Sequence, residues 1–101
     1  MKNNNILLFK ESEITGEMHD NTIDEVITCY IQKKFNNNII KICNNTFFDG
    51  DVSYNKMYKF IDTYVLNTFS YNKVKGYIQN CYFNKETIEN IVVDNIIDCD
   101  L

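Results

Sequence analysis

The sequence predicts a small α+β fold in which about three helices pack on a short, mostly antiparallel sheet of about three to four strands. Segments with helical spacing of apolar residues alternate with segments rich in β-branched and aromatic residues. The chain has 101 residues, 45% of them hydrophobic, which suits one domain spanning residues 1–101. That apolar content is enough to offset chain entropy, so the composition is typical of a folded chain rather than a disordered one.

The first half of the chain supplies a strand and an amphipathic helix. Four successive apolar residues within residues 3–10 are typical of a strand that is covered on both faces. A helix is predicted over residues 22–36, where apolar residues recur at i, i+3 and i+4. Thr22 and Glu25 have the spacing of a capping box, which predicts the start of this helix.

The central segments predict a hairpin and the longest helix. Residues 39–43 are expected to form a strand that turns through Asn44 and Asn45 into residues 46–48. Residues 53–69 are the densest apolar and aromatic stretch, and their stripe at helical spacing predicts a helix. The end of this stretch, residues 63–69, is also rich in β-formers, so a strand remains an alternative there.

The last third predicts a strand followed by a helix. Residues 73–83 carry aromatic and β-branched side chains, which favour a strand. Residues 84–98 have apolar residues at helical spacing, although their β-branched content leaves a strand open as the alternative. No internal repeat, linker or domain boundary is evident in the pattern.

Composition and charge argue against several functions. The formal net charge is −4, and all ten basic residues are lysines. Without arginine the chain lacks the bidentate grip that phosphate and guanine recognition often uses. An acidic chain also lacks the basic surface that releases counterions from nucleic acid, so direct nucleic-acid binding is disfavoured. No apolar stretch reaches the length of a membrane span, and no signal peptide is recognisable, which predicts a cytoplasmic protein without membrane contact.

Acidic residues are concentrated in two windows of sequence that contain no lysine. If the windows converge in the fold, they form an acidic face that attracts a basic partner and raises its association rate. A set of solvated helix ends and a loose tail is the simpler interpretation. The candidate partner-binding residues are Glu11, Glu13, Glu17, Asp20, Asp24, Glu25, Asp94, Asp98 and Asp100.

Candidate catalytic and metal-binding residues do not form a recognised set. His19 is the only histidine, and its sole sequence neighbour of use to a general base is Asp20. Cys29, Cys43 and Cys81 lie in apolar segments, where a thiol is inert, and no cysteine spacing matches a zinc site. We therefore predict neither catalytic residues, metal nor cofactor, and no enzyme activity.

These observations favour a protein-binding role. The first hypothesis is an inhibitor of the immunity or antitoxin type, which neutralises a basic toxin such as a nuclease through its acidic surface. The alternative is a non-catalytic structural or adaptor subunit that acts through an apolar or strand-edge interface. A viral subunit is one form of this alternative. The sequence leaves both a monomer and a homodimer open.

Overall fold

A computed structural model of the chain describes residues 2, 4–85, 87–88, 90–92 and 95–97. These residues form strands, and no helix occurs among them. In chain order the strands are β1 (Asn5–Lys10), β2 (Glu13–Ile14), β3 (Met18–His19), β4 (Thr22–Ile27), β5 (Tyr30–Ile31), β6 (Phe35–Asn36), β7 (Ile39–Asn44), β8 (Phe47–Phe48), β9 (Val52–Ser53), β10 (Lys56–Ile61), β11 (Tyr64–Val65), β12 (Phe69–Ser70), β13 (Lys73–Gln79), β14 (Tyr82–Phe83), β15 (Thr87–Ile88), β16 (Ile91–Val92) and β17 (Asn95–Ile97).

The strands form three sheets, each made of parallel strands, and each sheet extends along the length of the molecule. The long sheet has the order β1-β4-β7-β10-β13-β16, with β17 also paired to β13. The second sheet has the order β2-β5-β8-β11-β14, and the third sheet has the order β3-β6-β9-β12-β15. Each turn of the chain thus adds one strand to each of the three sheets, and the next turn stacks directly on it. The fold is an all-parallel β-solenoid of about five turns.

The repeat length can be read from the register of the long sheet. Consecutive partners lie 17 residues apart in the first four pairings, along Asn5, Thr22, Ile39, Lys56 and Lys73. We therefore number the turns as residues 5–21, 22–38, 39–55, 56–72 and 73–90. Lys73 pairs with Ile91, so the fifth turn is one residue longer.

The core is a column of side chains that point inward from every turn. In turn 2 the inward residues are Ile23, Val26, Cys29, Ile31 and Phe35, all buried. Each of these residues rests on its equivalents in the next turns, and the inward phenylalanines contact one another at 4.8–6.3 Å between ring centroids. A single turn has too little area to bury its apolar side, so stacking is what makes the core.

A ladder of asparagines runs along the inside of the solenoid. Asn21, Asn38, Asn55 and Asn72 are each 1% exposed. The Oδ1 atom of each accepts hydrogen bonds from the backbone N and the Nδ2 of the asparagine one turn earlier, for example from Asn38 to Asn55 at 2.9 and 3.3 Å. The ladder therefore satisfies buried polar groups between turns rather than within one turn.

Three corners connect the sheets in each turn. Corner 1 joins the long sheet to the second sheet, corner 2 joins the second to the third, and corner 3 leads back to the long sheet. Corners 1 and 3 turn through residues with positive φ, at Glu11, Thr28, Asn45, Asp62 and Asn80 in corner 1 and at Asp20, Asn37, Tyr54 and Tyr71 in corner 3. Asparagine and aspartate tolerate this backbone region better than most residues, which accounts for five of the nine positions.

The structure overturns the predicted α+β class. The segments predicted as helices, 22–36 and 53–69, are occupied by short strands, and so is the described part of 84–98. The predicted antiparallel hairpin at residues 44–48 is wrong as well, because β7 and β8 belong to different parallel sheets. The chain also has the internal repeat that the sequence pattern did not reveal, and the alternative of strands over residues 63–69 matches β11 and the start of β12.

Candidate functional site

A stack of aromatic rings lies on the outer face of the second sheet. Tyr30, Phe47, Tyr64 and Tyr82 occupy the first position of four paired two-residue strands. Successive ring centroids are 5.3, 4.9 and 4.6 Å apart, and the rings are stacked. The parallel register forces this arrangement, because rungs about 4.8 Å apart place equivalent side chains at ring-stacking distance.

Carboxylates from turns 1, 3 and 4 flank this stack. Glu13 takes the place of a ring in β2, where it pairs with Tyr30. The Tyr30 hydroxyl donates a hydrogen bond of 3.1 Å to Asp49, and this bond is the main cause of the raised pKa of the Tyr30 phenol. Glu11 and Asp62 add two exposed carboxylates from corner 1.

The rings and carboxylates together line an open groove of about 600 Å³, which we call the acidic groove. Three acidic residues line it, and none of its described lining residues is a lysine. The main residues of the acidic groove are Glu11, Glu13, Tyr30, Phe47, Asp62 and Tyr64. Aromatic faces and carboxylates both attract cations, so the acidic groove is suited to a positively charged ligand.

The predicted partner-binding residues that the structure describes do not converge on one face. Glu11 and Glu13 lie in the acidic groove, whereas Asp24 and Glu25 lie on the long sheet in β4. Glu17 is exposed in corner 2, and Asp20 is exposed at corner 3. The first acidic window therefore winds around the first two turns on several sides.

The candidate residues of the second acidic window, Asp94, Asp98 and Asp100, lie outside the described residues. Reading the sequence for charge alone missed Asp62 and the ring stack. The signal for the stack was the recurrence of aromatic residues at 30, 47 and 64, which are 17 residues apart.

His19 lies beside a carboxylate, and the cysteines in the described part of the chain are buried. His19 Nδ1 lies 3.1 Å from Asp20 Oδ2, its neighbour in sequence. Cys29, Cys43 and Cys81 are all buried, and Cys29 and Cys43 are free thiols. Burial raises the pKa of Cys43 from 9.0 to about 12, so its thiolate is suppressed at neutral pH.

A search of the described residues finds no group of three or more His, Cys, Asp or Glu side chains arranged to hold a metal ion. The same residues contain no helix with the length and apolar character needed to cross a membrane. No protein family, curated protein or solved structure was found to match this chain.

Proposed function

We propose that this protein is a non-catalytic binding protein that holds a basic segment of a partner protein in the acidic groove. The observation that supports this most directly is the groove itself, where carboxylates flank a continuous ring stack and no lysine intrudes among the described lining residues. A lysine or arginine placed there gains both a cation–π contact and a charge-assisted hydrogen bond. The proposal keeps Glu11 and Glu13 from the predicted set and adds Asp62.

The spacing of the carboxylates suggests the form of the bound segment. Glu11 and Asp62 occupy equivalent corner positions three turns apart, which corresponds to about 14 Å at about 4.8 Å per rung. An extended peptide covers that distance in about four residues, at about 3.4 Å per residue. Basic side chains four residues apart in a strand point to the same side, so both can reach a carboxylate.

An inhibitor of the immunity or antitoxin type is the specific role that we propose. A basic toxin such as a nuclease carries lysines and arginines where its substrate phosphates bind, and the carboxylates of the acidic groove would occupy those positions. A cytoplasmic location is part of this proposal and is supported by the free thiols of Cys29 and Cys43.

The test uses an extended peptide with two lysines about four residues apart, titrated into the protein by calorimetry. Replacing Glu11 with Gln and Asp62 with Asn should weaken binding about tenfold, because two attractive charges are removed with little change of shape. Raising the salt from about 0.05 M to about 0.5 M should weaken binding to the unmodified protein as well. A matched control changes Glu17 to Gln and Asp20 to Asn, and it should leave the affinity within about twofold.

Equal weakening by both double variants would contradict the proposal, since net charge alone would then explain binding. The same conclusion follows if the affinity does not respond to salt.

A structural or adaptor subunit is the second candidate, and it is supported by the free edge of the long sheet. Among the described strands, β1 pairs with β4 alone, and Leu7 and Leu8 of β1 are 76% and 46% exposed. A partner strand could add to such an edge. This candidate predicts assembly that persists at high salt and is weakened by Leu7→Lys, as measured by sedimentation.

A further inference from the structure

The outer face of the long sheet carries charges that are sorted by sign along the solenoid. Strand β4, in turn 2, contributes Asp24 and Glu25. The next three strands, β7, β10 and β13, contain no Asp or Glu. Their lysines are Lys41, Lys56, Lys59, Lys73 and Lys75. The face is therefore acidic at β4 and basic from β7 to β13, and Lys10 lies at the end of β1, on the other side of the acidic strand.

Apolar and aromatic side chains are exposed on the same face. Leu7 and Leu8 of β1 face solvent, although a run of four apolar residues is typical of a strand covered on both sides. Tyr58 of β10 is 51% exposed. The Lys59 Nζ lies 5.7 and 5.6 Å from the ring centroids of Tyr58 and Tyr77, which holds the lysine across the face.

Two shallow grooves of about 360 and 310 Å³ lie on this face. The first is lined by residues of β1, β4 and β7, and the second by residues of β7, β10 and β13. The acidic part and the basic part of the face thus each offer a surface into which side chains of another molecule can pack.

We propose that this face is an interface for a second copy of the same chain, related by a two-fold axis that runs parallel to β7. Such a rotation keeps the strand direction and reverses the order of the turns, so turn 2 of one copy faces turn 4 of the other. Glu25 and Lys59 occupy equivalent positions in those turns, because both pair with Ile42 in the register of the long sheet. The two-fold therefore brings each Glu25 opposite the Lys59 of the other copy.

Two further contacts are compatible with this packing. Leu8 of turn 1 comes opposite turn 5, where the half-buried Tyr77 offers an aromatic surface. Ile42 of β7 lies at the axis and meets its own equivalent. Lys41 also lies near the axis, but its charge is partly compensated by Asp24 of the same chain at 3.7 Å.

A second copy fits this face better than a partner of one charge sign. A purely acidic partner would match the lysines of turns 3–5 and repel turn 2, and a purely basic partner would do the opposite. Five strands about 4.8 Å apart and about 20 Å long cover about 480 Å² per copy, or about 1,000 Å² in total. This area is at the lower limit of specific interfaces, so the dimer is expected to be reversible, with a dissociation constant in the micromolar range.

The test measures self-association of the full chain by sedimentation, from about 10 µM to about 500 µM at low salt. Glu25→Lys and Lys59→Glu should each weaken the dimer at least about tenfold, because each homodimer then contains two like-charge contacts. An equimolar mixture of the two variants should dimerise again, since each contact then pairs one lysine with one glutamate across the axis. The double variant carrying both changes should also dimerise.

Both substitutions are on outward positions that are not buried, and recovery in the mixture shows that each variant is folded. A wild-type chain that stays monomeric at about 500 µM would overturn the proposal. So would a mixture that fails to recover the dimer. A dimer whose affinity is unchanged by both charge reversals but that is lost with Leu7→Lys would place the contact at the β1 edge. That result would also overturn the proposal.

Discussion

Corner 1 and corner 3 both turn the chain through residues with positive φ, yet they satisfy the neighbouring polar groups in different ways. In corner 1 the residue after the turn is Ser, Thr or Cys, and its side chain donates to the carbonyl two residues earlier at 2.8–3.3 Å. In corner 3 the residue after the turn is the buried asparagine, whose side chain bonds to the adjacent turns.

This difference explains why the residue after the turn varies from turn to turn in corner 1 but not in corner 3. A bond made within one turn can use either a hydroxyl or a thiol, so corner 1 alternates freely among Ser12, Cys29, Thr46, Thr63 and Cys81. A bond made between turns requires a donor in one turn and a matching acceptor in the next. Corner 3 therefore has the same residue in every described turn.

The largest expected effect comes from interrupting the asparagine ladder. Asn55→Ala removes the acceptor of two bonds from Asn38 and the donor of bonds to Phe35 O and Asn72 Oδ1. The buried groups left without partners should lower the free energy of unfolding by about 3–5 kcal/mol. Urea denaturation measures this change.

Two controls sharpen the comparison between the corners. Asn4→Ala affects the exposed end of the same ladder and should cost less than about 1 kcal/mol. Thr46→Cys copies the residue found at the same position in the neighbouring turn 2 and should also cost less than about 1 kcal/mol. Equal losses for Asn55→Ala and Thr46→Cys would mean that the two corners contribute alike, contrary to the comparison.

An intermediate effect is expected at corner 2, where main chain packs against main chain. A β-carbon on Gly50 would collide with the carbonyl group of Lys33 and lie 2.8 Å from the Lys34 backbone N. Gly50→Ala should therefore destabilise the protein by about 2–4 kcal/mol, measured by urea denaturation. Gly16→Ala is the matched control, because no atom lies within 4 Å of a β-carbon at that equivalent position. A Gly50 variant as stable as the Gly16 variant would show that corner 2 is loosely packed.

The smallest effect concerns Cys43, whose thiol lies 3.8 Å from the corner 1 residue Thr63. Burial raises its pKa from 9.0 to about 12, so the folded state holds its proton at a pH where the unfolded state has lost it. The contribution of the Cys43 thiol to the free energy of unfolding is constant below about pH 9. Between about pH 9 and about pH 12 it falls by about 1.4 kcal/mol per pH unit.

Cys43→Val removes this titration and matches Val26, which occupies the same position one turn earlier. At about pH 10.5 the wild type should have lost about 2 kcal/mol more than the variant, relative to neutral pH. Parallel pH profiles for the two proteins would exclude a buried Cys43 thiol.

The sequence misled because the inward positions of the solenoid resemble the stripe of a helix. In turn 2 the buried residues Ile23, Val26, Cys29 and Ile31 are separated by three, three and two residues. These steps are close to helical spacing, so a short strand, a corner and a second short strand imitate an amphipathic helix. Helical spacing would place Ile27 and Tyr30 on the same buried stripe, but Ile27 is half-buried and Tyr30 is exposed.

The repeat itself was present in the sequence but obscured by composition. Asparagines recur every 17 residues from position 4 to position 72, among sixteen asparagines in all. With so many asparagines, the five that matter do not stand out unless residues are compared at a fixed separation. The acidic groove was predicted only in part, because Asp62 is distant from Glu11 in sequence and lines the same groove only through the stacking of turns.

The stacking of turns has a consequence for how the molecule opens. Each turn is supported only by the turns directly before and after it, so separation begins most easily at the two ends and proceeds inward. Amide hydrogens in β7 and β10, which have neighbours on both sides, should exchange with solvent more slowly than those in β1. The terminal turns are therefore expected to open before the central turns.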